Sequence, residues 1–350
     1  MISLFSPARA RAAAIPAALL ALWVSPSRVE AQGFEQVGTR ARGMGAAFVA
    51  VADDASAAWW NPAGLPGSLI FDGVLETGGL EAGLDRRLDE PGPAGRGRTV
   101  MVAAAFPVAA LSYARLHQWR AGPAPTGAGA GSRQDGGHIP VQSLLTHHFG
   151  VSFAQSLGDA VVVGTTTRVI RGGMAWAPGD PAAGAGEAFD AAPGGPRRWT
   201  TRGDLDAGIR VRLARLRLGL SARNLGAPEF AGDDGQIWRL DRRVRAGVAV
   251  VADAGRAGRQ AWVVAADADL TRDDQAPGTW RGAGAGVERW LAGRRVAVRG
   301  GVEASTSGPA RATATAGLSL AVPGGLFVEV AAAAGAEQRR GWSLGAHVMF

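Results

Sequence analysis

The stretch from Asp204 to Arg223 reads DLDAGIRVRLARLRLGLSAR, and its alternation decides the fold. Leu205, Ala207, Ile209, Val211 and Leu213 alternate with Asp204, Asp206, Gly208, Arg210 and Arg212. Beyond Ala214, Leu216, Leu218, Leu220 and Ala222 alternate with Arg215, Arg217, Gly219, Ser221 and Arg223. A period of two puts successive side chains on opposite faces of a strand, so each strand has one apolar and one charged face. The pattern continues outward in both directions. Trp238, Leu240, Val244, Ala246, Val248 and Val250 oppose Arg239, Asp241, Arg243 and Arg245, with Arg242 out of phase. Further on, Trp262, Val264, Ala266, Ala268 and Leu270 oppose Asp267 and Asp269, and Val296, Val298 and Val302 oppose Arg295, Arg299 and Glu303.

A soluble sandwich also alternates, but three features favour a membrane barrel. The strands run about ten to thirteen residues, against about five or six in soluble sheets. Short and long turns alternate, as expected for tight periplasmic turns and longer outer loops. Trp119, Trp176, Trp199, Trp238, Trp280 and Trp342 fall at the expected outer ends of strands, where an amphipathic ring suits the membrane interface. The reading yields fourteen strands: Ser68–Leu80, Thr99–Phe106, Ala109–Trp119, Ser143–Ser156, Ala160–Gly172, Trp199–Leu213, Arg215–Asn224, Trp238–Val251, Gln260–Thr271, Thr279–Leu291, Arg294–Ser305, Arg311–Val322, Leu326–Ala333 and Gly341–Phe350. The fold class is all-β, a closed antiparallel transmembrane barrel over residues 68–350. An even count returns both ends to the periplasmic side. Arg210, Arg217, Arg243, Arg245 and Arg299 are expected in the lumen, paired with Asp204, Asp206, Asp267, Asp269 and Glu303 or with acids nearer the N-terminus. Glu81 to Arg98, Arg120 to Gln142 and Ala175 to Arg198 read as flexible Gly/Pro/Ala-rich outer loops.

The N-terminus has the layout of a cleavable export signal over residues 1–31: Arg9 and Arg11, an apolar core from Ala12 to Val24, and Val29-Glu30-Ala31 before the cut. That core falls short of the roughly twenty residues of a spanning helix. With no cysteine, a lipid anchor on a thiol, a disulfide framework and a thiolate metal site are excluded. The net charge of +7 is carried by arginine without any lysine. Because these arginines recur at alternate strand positions, they do not form a nucleic-acid-binding face.

Between the signal and the first strand lies GTRARGMGAAFVAVADDASAAWWNPAGL, Gly38 to Leu65. Its Gly-Met-Gly run, the acids Asp53 and Asp54 within Ala-Asp-Asp-Ala, and the string Asn61, Pro62, Ala63 and Gly64 follow one another in a fixed order. In that order they resemble the N-terminal region of the FadL/TodX outer-membrane transporter superfamily, most closely its PorV/PorQ-like branch. Asn224-Leu225-Gly226 and Arg243 to Gly247 look like the same group. The resemblance implies that residues 32–67 form a hatch inside a barrel, with Asp53, Asp54, Trp59, Trp60, Asn61, Pro62, Ala63 and Gly64 as hatch and gate residues. It also implies an outer-membrane location, and a gated passive channel for small hydrophobic molecules. The PorV-like alternative is a docking component of a protein secretion or surface-attachment system. In the channel reading, Trp59 and Trp60 are candidate apolar contacts for the cargo. The terminal Phe350, on an alternating last strand, resembles the signal read by the barrel-assembly machinery during biogenesis. Outer-membrane lipid is the other expected partner.

Several motifs are chance matches. Gly341 to Gly345 spells GxSxG, but it alternates as a strand and no acid follows it. Asp267, Asp269, Asp273 and Asp274 lack the glycine and final glutamate of a calcium loop, so no metal site is expected. His147 and His148 point to opposite faces and cannot share an ion. Gly282 to Gly286 has no following helix to hold a phosphate, and reads as relief of crowding in a curved sheet. No cofactor and no enzymatic constellation is expected.

Overall fold

A strand whose two faces differ this sharply is stable only where its two sides meet different surroundings, and a closed wall supplies both. The computed structural model describes residues 37–67, 70–90, 94–121, 138–232, 235, 237–253, 260–275, 278–307 and 312–350. The export signal expected over residues 1–31, and residues 32–36 of the expected hatch, lie outside them. The wall consists of β1 (Asp72–Ala82), β2 (Ala94–Ala105), β3 (Ala109–Ala121), β4 (Ile139–Leu157), β5 (Val161–Gly179), β6 (Thr200–Leu213), β7 (Leu216–Arg223), β10 (Arg243–Asp253), β11 (Gln260–Asp269), β14 (Gly282–Leu291), β15 (Val296–Ser305), β16 (Thr313–Val322), β17 (Leu326–Gly335) and β18 (Arg340–Met349). Two short hairpins interrupt that order: β8 (Glu229–Ala231) with β9 (Ile237–Arg239), and β12 (Asp273–Gln275) with β13 (Gly278–Trp280). The fourteen wall strands pair antiparallel around a ring, and β1 closes on β18 with Asp72 opposite Met349 and Glu81 opposite Arg340. Closure pairs every strand on both sides, as a lipid environment demands. No helix among the described residues is long and apolar enough to cross a membrane.

The two faces are those the alternation calls for. Leu205, Ile209, Val248, Val264 and Val302 are exposed on the outer face, while Arg210, Arg243, Arg245, Asp206, Asp267 and Asp269 are buried on the inner one. Residues 37–65 lie inside the ring, and Met44 and the run Ala46–Ala52 are almost wholly buried. The remaining connections are less uniform than the sequence suggests.

Five expectations need correction. The second and thirteenth strands, read as short, span Ala94–Ala105 and Leu326–Gly335. The strand expected to open at Trp238 begins at Arg243, because Trp238 belongs to β9 and turns into a buried cluster with Leu144, Ile170, Met174, Phe230 and Leu240. Trp238 is therefore not part of an interface girdle, and Trp119 packs partly buried against Leu88 and Phe189. Trp176, Trp199 and Trp342 are exposed, and the side chain of Trp280 lies outside the described residues. Finally, the outer connections are organised where they are described: Ala185–Ala191 forms a helix, and Leu88, Val141, Ala185 and Phe189 make a small core, while residues 91–93 and 122–137 of the expected loops lie outside the described residues. Four apolar residues drawn from a loop, a strand end and one short helix leave no periodicity for a sequence pattern to detect.

Candidate functional site: the N-terminal segment within the wall

The segment is built of short turns that bond within themselves, and the backbone groups left over between them bond to the wall. Only α1 (Thr39–Gly43), α2 (Ala57–Trp60) and a 3-10 turn, Pro62–Gly67, are helical. The Thr39 amide donates to Glu76 of β1 at 2.9 Å. The amides of Phe48 and Val49 both donate to Asp267 of β11, at 2.6 and 2.7 Å. The amide of Ala55 donates to Asp72 at 2.7 Å. Carbonyls face the other way: Ala52 accepts from Arg210 at 2.9 Å, and Ala58 from Arg168 at 3.0 Å. Buried amides and carbonyls left unpaired are costly, so these wall side chains are what allow an irregular chain to lie inside.

Arg40 is the centre of the charge network. Its guanidinium reaches Asp53 at 2.6 Å, Asp54 at 3.0 Å and Glu288 of β14 at 2.8 Å. Burial alone would lower the Arg40 pKa, but these three carboxylates hold it well above the ordinary arginine value. Burial likewise opposes ionisation of Asp53, yet Arg40 and Arg217 outweigh it and hold Asp53 below the usual carboxylate range. Both groups are thus charged at neutral pH. Glu288 also takes Arg299 at 2.6 Å, and Arg299 continues to Ser319 at 2.6 Å and Glu329 at 3.3 Å. Asp54 accepts from the amide and the hydroxyl of Ser56, which turns the chain into α2.

Asn61 pins the following turn. Its Nδ2 donates to the Val49 carbonyl at 2.9 Å and to Ile209 of β6 at 3.2 Å, while its Oδ1 accepts from the Ala63 amide. Pro62 and Ala63 press on the wall at Gly164, and a Cβ on that glycine would lie 2.5 Å from the Ala63 nitrogen. Gly64 is shielded in the same way, against the Ala52 carbonyl. Gly286 and Gly301 face Met44, with a Cβ on Gly301 only 2.5 Å from the Met44 carbonyl carbon. The run Gly282–Gly286, read as curvature relief, is therefore a place where two backbones touch.

The lumen charges are all on the inner face, but their partners differ from the expectation in part. Arg217 reaches Asp53 at 3.4 Å and Arg245 reaches Asp269 at 3.5 Å. Arg299 instead takes Glu288 and Glu329, Arg210 takes a backbone carbonyl, and Glu303 takes Arg339 at 2.8 Å. Asp206 pairs with Arg168 at 2.7 Å and accepts from the Asn224 amide, while Asp204 accepts from Gly226. The string Asn224-Leu225-Gly226 thus closes the outer end of β7 onto β6. Arg243 is buried on the same face. Which acid an inward arginine meets depends on strand register, which alternation leaves open.

Trp59 and Trp60 offer no free apolar face. Arg223 and Arg168 lie 3.8 and 4.5 Å from the Trp59 ring centre, and His148 meets its edge. Trp60 is fully buried against Phe48 and donates to the Val37 carbonyl at 3.2 Å. A second apolar cluster, equally buried, is formed by Leu144, Ile170, Met174, Phe230, Trp238 and Leu240, which the sequence reading missed. Leu144 and Ile170 do signal it, being apolar at positions whose parity faces inward. Phe350 follows β18, exposed, with its amide donating to Phe71 at 3.0 Å.

Comparison with known proteins places this architecture. A family model described as F plasmid transfer operon, TraF, protein matches residues 197–269, the part of the wall from β6 to β11. No curated protein matches the chain in sequence. Among solved structures, the toluene transporter TbuX of Ralstonia pickettii is similar at 12% identity with a TM-score of 0.61, over 91% of this chain and 99% of that one. The CymD monoaromatic hydrocarbon channel gives 13% identity and a TM-score of 0.61 over 91% and 99%. A Pseudomonas aeruginosa FadL homologue gives 12% and 0.56 over 93% and 100%. At these identities the likeness is one of fold, and the chain has the fourteen-strand outer-membrane barrel fold of FadL/TodX-type transporters.

Proposed function

We propose that this chain is an outer-membrane channel that admits small hydrophobic molecules without energy input, with residues 32–67 acting as its hatch. The observation that carries the reading is the filled lumen: Val37 to Leu65 cross the interior of a barrel whose fold is shared with hydrocarbon channels. The charged wall is unsuited to a hydrophobic cargo along most of the lumen. The cargo therefore parts the buried apolar cluster around Phe230 and Trp238, above the hatch, before it moves past the segment or sideways through the wall. Binding of a labelled fatty acid or aromatic hydrocarbon to the purified barrel tests this. Saturable binding that weakens about tenfold or more in Phe230→Ala/Trp238→Ala is expected, from the loss of two large apolar contacts. No saturable binding across such a panel contradicts the reading.

The lattice of Arg40, Glu288, Arg299 and Glu329 favours a second reading, a PorV-like docking component in protein secretion or surface attachment. A lumen cross-linked by buried ion pairs suits a rigid platform. A stoichiometric protein partner recovered from detergent-solubilised membranes supports this second reading, and its absence counts against it.

A further inference from the structure

Charge on the outer face of the wall is the exception in this barrel, and one group there carries two arginines with no acidic partner among the described residues. Arg115 of β3, His147 of β4 and Arg171 of β5 are outward-facing and lie side by side, Arg115 opposite His147 and His147 opposite Arg171 in the strand registers. Around them the same face is apolar: Leu111, Phe149, Val151, Phe153, Val169 and Leu205 are all exposed. Among the described residues, neither arginine side chain makes a hydrogen bond or ion pair, and the Arg171 guanidinium carbon lies 5.2 Å from the centre of the Trp199 ring. Trp199 also faces His147 at 5.5 Å, and the Tyr113 hydroxyl lies 2.9 Å from His147 Nδ1.

Arginine on a lipid-facing wall is costly at the bilayer centre and tolerated only near the interfaces. About ten residues of strand cross a hydrocarbon core, and that length separates Leu157 from His147 on β4 and Val161 from Arg171 on β5. Leu157 and Val161 flank the short turn at the periplasmic end, so His147 and Arg171 sit one span away, at the headgroups of the outer leaflet, while Arg115, six residues past Ala109 on β3, lies deeper and extends its long stem toward them from beside His147. Two guanidinium forks beside an imidazole and a phenol match a phosphate, which takes arginine bidentately. We infer that Arg115, His147, Arg171 and Tyr113 form an outward-facing site for the phosphate of a phosphorylated glycolipid, the lipid A type of the outer leaflet, with Trp199 flanking it at the interface.

Native mass spectrometry of the purified, detergent-solubilised full chain tests the assignment. The lipids are bis-phosphorylated lipid A, its dephosphorylated form and phosphatidylglycerol. Lipid A should remain bound, with the dephosphorylated form and phosphatidylglycerol at least tenfold weaker. Arg115→Gln/Arg171→Gln should weaken lipid A retention at least tenfold, and Arg115→Lys/Arg171→Lys should recover part of it, with heat-modifiable gel migration reporting that each variant is folded. Equal retention of the dephosphorylated form, equal retention of phosphatidylglycerol, or unchanged binding in the folded glutamine variant overturns it. The lipid comparison on the unmodified chain decides the matter even if a variant does not fold.

Discussion

The inner wall has two arcs that hold the N-terminal segment by opposite chemistry. From β11 through β14 to β1, the wall presents Asp267, Glu288, Glu76 and Asp72, which accept from amides and from Arg40. From β5 to β7 it presents Arg168, Arg210 and Arg217, which donate to the carbonyls of Ala58 and Ala52 and to Asp53. The segment matches this division along its length: residues 39–49 mostly offer donors, with the Gly43 carbonyl accepting from Thr315 of β16 as the exception, and residues 52–58 mostly offer acceptors. Turning it end for end would set carbonyls against carboxylates and amides against guanidinium groups. The two arcs therefore fix orientation as well as position, which a uniformly polar lumen could not do.

Substitutions on each arc break or sharpen that contrast. The largest effect is expected at Arg40, where Arg40→Ala leaves three carboxylates facing one another without their shared cation. Breaking a buried pair by removing one partner costs about 3–5 kcal/mol. Proteolysis of the segment in an otherwise heat-resistant barrel reads this out, and an unchanged cleavage rate contradicts the network. Asp267→Ala comes next, because it removes two charge-assisted bonds to amides, about 3 kcal/mol together. At about 1.4 kcal/mol for each tenfold step, the amides of Phe48 and Val49 should exchange roughly a hundredfold faster. Asp267→Asn keeps one acceptor and should fall between. The smallest effect is expected on the arginine arc, where Arg210→Gln loses a single bond to the Ala52 carbonyl, about 1–2 kcal/mol. If Arg210→Gln loosens the segment more than Asp267→Ala does, the arginine arc dominates and the contrast is wrong.

The wall was legible in the sequence because a bilayer permits few solutions. Lipid outside and charge inside force strict alternation, so residues such as Arg210 and Val248 reveal their faces from parity alone. What alternation leaves open is which strand atoms end up opposite one another. Glu288 and Glu329 passed unremarked although they bind Arg299, because only the register of β14 to β17 brings them together. Trp238 was misread for a related reason: three-residue strands such as β8 and β9 have too little length to show a period. The wall glycines were visible, but their purpose was not, since Gly286 and Gly301 make sense only once Met44 lies against them.

The central claim is that residues 38–65 close the lumen, and planar-bilayer recording of a barrel lacking them tests it most directly. The strands and Phe350 are untouched by the deletion, and a closed wall satisfies its own backbone, so the barrel should still assemble. The account predicts single-channel conductance clearly above that of the full chain. A deletion barrel that folds and conducts no better than the full chain would contradict it.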